Sequence, residues 1–160
     1  MLRSVLLATI ILGASYTPVF AQEFTAVSTI ERMISTENAD GTVTVEFIEA
    51  DRVTPGESLY YQLAYNNASP ENIEEASLVM NVPQEVIYSE NSADIADKDV
   101  QVAFSTDGGQ TYAPRGELKV TVGGQPRAAG SEDITNIRWT FNEPITPGSE
   151  GLVGFTAVVR

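Results

Sequence analysis

The sequence contains no cysteine and no histidine among its 160 residues. Disulfide bonds, thiol nucleophiles, Ser-His pairs, imidazole bases and Cys- or His-based zinc sites are therefore all excluded. Basic residues are also scarce, with nine Lys and Arg against 22 Asp and Glu, and the formal net charge is −13. Because nucleic acids and anionic lipids bind to faces rich in Lys and Arg, neither is an expected partner. The composition predicts a protein that is not an enzyme and that requires no cofactor.

The first 21 residues have the features of a secretory signal peptide. Arg3 precedes an apolar stretch over residues 5–12, and the small residues Val19 and Ala21 occupy the −3 and −1 positions of a signal-peptidase site. The apolar stretch is shorter than the ~20 residues that a membrane-spanning helix needs. We expect a mature chain that begins at Gln22, carries a charge of 8 − 22 = −14, and has no integral membrane segment. Its predicted location is periplasmic or extracellular.

Apolar residues recur at every second position along residues 22–160, which is the spacing of half-buried β-strands. Gly, Pro, Asn and Asp separate the alternating segments, and no segment has a helical apolar stripe. This pattern predicts a single all-β domain, an antiparallel sandwich of about eight or nine strands. The clearest alternating segments are 42–48, 59–65, 76–80, 100–104, 118–122, 137–141 and 152–159.

Residues 105–112 match the Asp-box pattern S-x-D-x-G-x-T-[W/Y]. The carboxylate of Asp107 can accept backbone N–H groups across a turn, and Gly108 and Gly109 can supply positive φ angles. Asp-boxes recur in the blades of sialidase propellers, where they are structural. One copy in a chain of this length predicts a structural turn and no glycosidase activity.

Three aspartates, Asp94, Asp97 and Asp99, are weak candidate metal ligands. A calcium site requires several oxygens that converge from one loop. The segment 94–99 lacks the glycine and the distal glutamate of an EF-hand, so a solvated acidic loop is the favoured interpretation. A module that binds Ca²⁺ or carbohydrate through acidic loops is the alternative function.

Several short segments of the sequence carry a resemblance when they are taken together and in order. They are VTPGESLYY at 53–61, Asn66-Asn67, ASLVMNVP at 76–83, FSTDGG at 104–109, RAA at 127–129, IRW at 137–139 and ITPG at 145–148. Together they resemble a known family, the conserved repeat domain of bacterial envelope proteins called domain of unknown function 11, in its stand-alone proteobacterial type. The resemblance is clearest over residues 53–160. It implies an immunoglobulin-like antiparallel β-sandwich of about seven to nine strands, exported and without catalytic residues.

The expected function is that of a non-catalytic bacterial domain in the envelope or secreted, with an interaction or structural role in adhesion or a matrix. A protein partner or a second copy could add a strand to an exposed sheet edge. The final strand, which runs to Arg160, could pair with the added strand if it lies at an edge.

Overall fold

The computed structural model describes residues 24–50, 52–93, 95–96 and 99–160, and the predicted signal peptide lies outside them. The described chain forms eleven β-strands and two single-turn 3-10 helices, Arg115–Glu117 and Ser131–Asp133. Among these residues there is no apolar helix of membrane-spanning length. The strands are β1 (Phe24–Glu37), β2 (Val43–Glu49), β3 (Ser58–Asn67), β4 (Ser77–Asn81), β5 (Val86–Tyr88), β6 (Ile95–Ala96), β7 (Val100–Ser105), β8 (Lys119–Val122), β9 (Gln125–Ala128), β10 (Asn136–Phe141) and β11 (Glu150–Val159).

Two antiparallel sheets contain nine of these strands. The larger sheet has the order β2-β1-β3-β11-β5, with β6 also paired to β11, and the smaller sheet has the order β4-β10-β7. Strands β8 and β9 form a separate hairpin. The predicted fold class, an all-β, immunoglobulin-like antiparallel sandwich, is therefore confirmed.

The core lies between the two sheets and is made by the alternating apolar residues. Trp139 of β10 and Phe155 of β11 have no exposed surface, and their ring centroids are 6.5 Å apart. Tyr65 of β3 meets Phe141 of β10 edge to face at 5.1 Å. Complete burial of a large apolar side chain contributes roughly 1.5–3 kcal/mol, so this aromatic layer contributes substantially to the attraction between the sheets.

Two Pro-Gly turns precede the long strands β3 and β11. Glu57 N–H donates to the carbonyl of Thr54, and Ser149 N–H donates to that of Thr146. Gly56 and Gly148, with φ of 90° and 71°, occupy the turn position that requires a positive φ. The two turns therefore have the same chemistry, as the repeated Thr-Pro-Gly sequence predicts.

The final strand does not lie at an edge, so the condition under which it could accept a partner strand is not met. β11 pairs with β3 on one side and with β5 and β6 on the other. Its residues Val153, Phe155 and Ala157 are fully buried. Because β6 and β5 pair with residues 153–154 and 157–159 of β11, this strand does not present a continuous open edge.

Candidate functional site

A two-stranded ribbon extends the larger sheet beyond β3. Residues Phe24 to Arg32 of β1 pair with β3, whereas Glu31 to Glu37 pair with β2. From Met33 onward β1 therefore has β2 as its only neighbouring strand within the described chain. We call residues 31–49 the β1–β2 ribbon.

A tight turn fixes the register of the ribbon. Gly41 N–H donates to the Asn38 carbonyl at 3.0 Å, and Asn38 N–H donates to the Thr42 carbonyl at 2.8 Å. Gly41 has φ of 82°, which makes this a three-residue hairpin loop with a glycine bulge. The carboxylate of Asp40 accepts the hydroxyl of Thr42 at 2.6 Å and its N–H at 3.0 Å. These two hydrogen bonds from Thr42 lower the pKa of Asp40.

Within the described chain β2 is an open edge of the larger sheet, as are residues 24–30 of β1, which pair only with β3. Asn38 and Thr42 are a hydrogen-bonded pair, and in an antiparallel ladder such pairs alternate with non-bonded ones. The alternation directs the backbone N–H and C=O groups of Thr44, Glu46 and Ile48 toward β1. The corresponding backbone groups of Val43, Val45 and Phe47 point away from β1, toward a side where no described strand lies.

The side chains of the same three residues lie together on one face of the ribbon. Phe47 and Glu49 share this face with Tyr60 of β3. Because Tyr60 alternates with the core residues on either side of it in β3, this is the outer face of the larger sheet, turned away from the smaller sheet. Val43, Val45 and Phe47 are 63%, 43% and 47% exposed. The Phe47 ring centroid lies 5.2 Å from that of Tyr60, so the ring is held on the sheet while about half of its surface meets solvent.

The ribbon is strongly acidic. Its five carboxylates and one arginine give a charge of 1 − 5 = −4 over residues 31–49. Arg32 lies 3.5 Å from Glu57, so the positive charge is already opposed by a carboxylate outside the ribbon. The five acidic residues are Glu31, Glu37, Asp40, Glu46 and Glu49.

The structure describes one of the three candidate metal ligands, Asp99. Asp94 and Asp97 lie outside the described residues. Asp99 is exposed, and its backbone carbonyl accepts the N–H of Asn142 at 3.2 Å. Within the described ranges no group of three or more acidic side chains is placed to hold a metal ion.

The Asp-box forms the structural turn that the sequence predicts. Asp107 accepts the Thr111 hydroxyl at 2.6 Å, the Thr111 N–H at 3.0 Å and the Ser105 hydroxyl at 2.7 Å. Ser105 is fully buried, and its hydroxyl accepts the N–H of Gly109. The Thr111 hydroxyl and N–H and the Ser105 hydroxyl hold the pKa of Asp107 well below its usual range.

We expect Asp107→Asn to flatten the acid dependence of stability. A carboxyl whose folded-state pKa is depressed stabilises the fold above its unfolded pKa of ~3.9, and this contribution is lost as the pH falls below that value. The melting temperature of the natural protein should therefore fall further between about pH 5 and pH 3 than the melting temperature of the variant. Glu57, Glu90 and Asp133 also have lowered pKa values, but they are common to both proteins. Parallel pH profiles would contradict the assignment.

No family model, curated protein or solved structure matches the chain. The resemblance to domain of unknown function 11 consequently stays a prediction.

The sequence identified β2 as a strand but not as the exposed edge. Its alternation puts Val43, Val45 and Phe47 on one face, which is also what a core-facing strand would show. The signal that separates the two cases is charge, because five acidic residues within 19 flank this apolar row. That density is typical of a ribbon surrounded by solvent.

Proposed function

We propose that this protein is an exported, non-catalytic bacterial domain that binds another protein through the open edge of β2. The observation that carries the proposal is the coincidence of free backbone groups and exposed apolar side chains on Val43, Val45 and Phe47. Strand addition uses both features, since the ladder supplies affinity and alternate side chains supply specificity.

The contrast with the opposite edge of the same sheet supports this proposal. That edge consists of β5 and β6, which have three and two residues. Proteins commonly shorten edge strands to prevent unwanted pairing. β2 has seven residues, every one of them exposed, and is long enough to add a partner strand.

Export and family membership are parts of the same proposal. The signal-peptide features of residues 1–21 support a periplasmic or extracellular location. The segments shared with domain of unknown function 11 support an envelope or secreted role in adhesion or matrix structure. A non-covalent binding role also agrees with a sequence that has no cysteine or histidine.

Photo-crosslinking in cells of the native host tests the proposal. The probe p-benzoylphenylalanine replaces Val45 in one variant and Val122 in the other. Val122 is a matched control because it is also an exposed valine, at 56%, but belongs to the β8–β9 hairpin. We expect one defined protein adduct from position 45 and none from position 122. Equal adducts at both positions, or none at position 45, would contradict the proposal.

A further inference from the structure

We propose that the partner of β2 is a basic strand in which apolar residues alternate with Lys or Arg. This inference rests on the proposed function and adds the chemistry of the partner. Three properties of the β1–β2 ribbon carry it: its open backbone groups, the exposed apolar row of Val43, Val45 and Phe47, and its charge.

The open backbone groups fix which residues of a partner lie opposite β2. The outward-pointing groups belong to Val43, Val45 and Phe47, so these three would form the hydrogen-bonded pairs of an antiparallel ladder. Directly opposed side chains lie about 5 Å apart on the same face. The partner's matching residues would therefore form an apolar row beside the exposed valines and phenylalanine.

The other face of β2 selects the alternate residues of the partner. Thr44, Glu46 and Ile48 occupy it, and Glu46 is at the centre. A lysine or arginine opposite Glu46 would make a cross-strand pair of opposite charge, whereas an acidic residue there would be repelled. A partner with an apolar row on one face and a lysine or arginine opposite Glu46 on the other therefore fits β2.

The charge of the whole ribbon favours the same partner. Its net charge of −4 attracts a positively charged segment to the ribbon. Complementary charge accelerates encounter and suppresses partners of like charge. Charges separated by more than about 8 Å are screened at ~0.15 M salt, so the carboxylates on β1 and β2 closest to the added strand contribute most.

A second copy fits the open edge less well. A two-fold axis at Val45 would place Val43 opposite Phe47 of the other copy, which is acceptable for the apolar row. However, it would also bring together two ribbons that each carry a charge of −4. Pairing of two copies would therefore strengthen as salt is added, whereas binding of a basic strand would weaken.

Synthetic peptides with fluorescent labels test this inference on the purified protein. The first probe is Lys-Val-Lys-Val-Lys-Val-Lys. The second replaces every lysine by glutamate, and the third replaces the central valine by proline, which retains the positive charge but removes a ladder donor. Fluorescence anisotropy gives the dissociation constants, and sedimentation of the protein alone measures self-association at low and high salt.

We expect the basic alternating peptide to bind at least about tenfold more tightly than either of the other peptides. Its affinity should fall as the salt concentration is raised. Val45→Lys should lower the affinity for the basic peptide by about tenfold or more. The new lysine repels the positively charged peptide at the centre of the edge, and the apolar contact of Val45 is lost. Val122→Lys has the same composition and net charge, and should leave the affinity within about twofold of the natural protein.

Each opposing outcome has a distinct meaning. Equal binding of the proline peptide would show charge attraction without strand addition and would overturn the inference. Self-association that grows with salt and is abolished by Val45→Lys would make a second copy the occupant, and would also overturn it. Absence of binding by all three peptides, together with a crosslink from position 45, would reject the basic partner but retain the proposed function. Absence of both would reject the two proposals together.

Discussion

Replacement of Trp139 by alanine should lower the free energy of unfolding by about 3–5 kcal/mol, the usual cost of deleting a large buried ring. Trp139 has no exposed surface and stacks on Phe155 across the two sheets. Its indole Nε1–H donates to the carbonyl of Ala93 at 2.6 Å. The variant loses the contact between the sheets and also leaves that carbonyl without its indole donor. Urea unfolding followed by circular dichroism measures the change.

Trp139→Phe is the matched control for the two contributions. Phenylalanine retains an aromatic ring in the core but cannot donate a hydrogen bond to Ala93. Loss of one buried hydrogen-bond partner costs about 1–3 kcal/mol, so the phenylalanine variant should fall between the natural protein and the alanine variant. A loss of less than about 1 kcal/mol in the alanine variant would contradict the central place of Trp139 in the core.

Asn67→Ala should lower the free energy of unfolding by about 3 kcal/mol, because it removes the centre of a buried polar network. Asn67 is fully buried at the end of β3. Its side-chain amide donates to the carbonyls of Glu71 and Ile145 at 3.0 and 2.7 Å, and its oxygen accepts the hydroxyl and N–H of Ser69. Alanine satisfies none of these groups and leaves a cavity. The same urea titration measures the loss.

Asn66→Ala is the control for Asn67, since the neighbouring asparagine is exposed on the other face of the same strand. Exposed substitutions usually change stability by no more than about 0.5 kcal/mol. If the two variants were equally destabilised, the effect would belong to the strand and not to the amide network. If neither were destabilised, the network would have no role in holding the loop after β3.

The local elements were predictable because their signals are local. Alternation of apolar residues identified the β10 segment around Trp139, and Thr-Pro-Gly identified the turns before β3 and β11. The Asp-box predicted its own turn, since Asp107 bonds only to residues within four positions of itself. In each case the residues that define the element lie within a few positions of one another in the sequence.

The edge was not predictable because it depends on which strands pair across long distances. The alternation of β2 resembles that of β7, yet Phe47 is about half exposed and Phe104 is buried. The difference is that β7 faces the core formed with the larger sheet, whereas the ribbon lies beyond β3. Likewise β11 ends the chain but lies between β3 and β5. A period of two identifies a face, but it does not identify what covers that face.

Crosslinking from position 45 tests the central claim most directly, because the outward-pointing backbone groups of Val45 lie at the middle of the open edge. In cells of the native host, p-benzoylphenylalanine at position 45 should yield one defined protein adduct, while the same probe at position 122 should yield none. Mass spectrometry should place the adduct on a strand-forming segment of a second protein. The absence of an adduct at position 45, or an equal adduct at position 122, would contradict the claim that β2 is the binding edge.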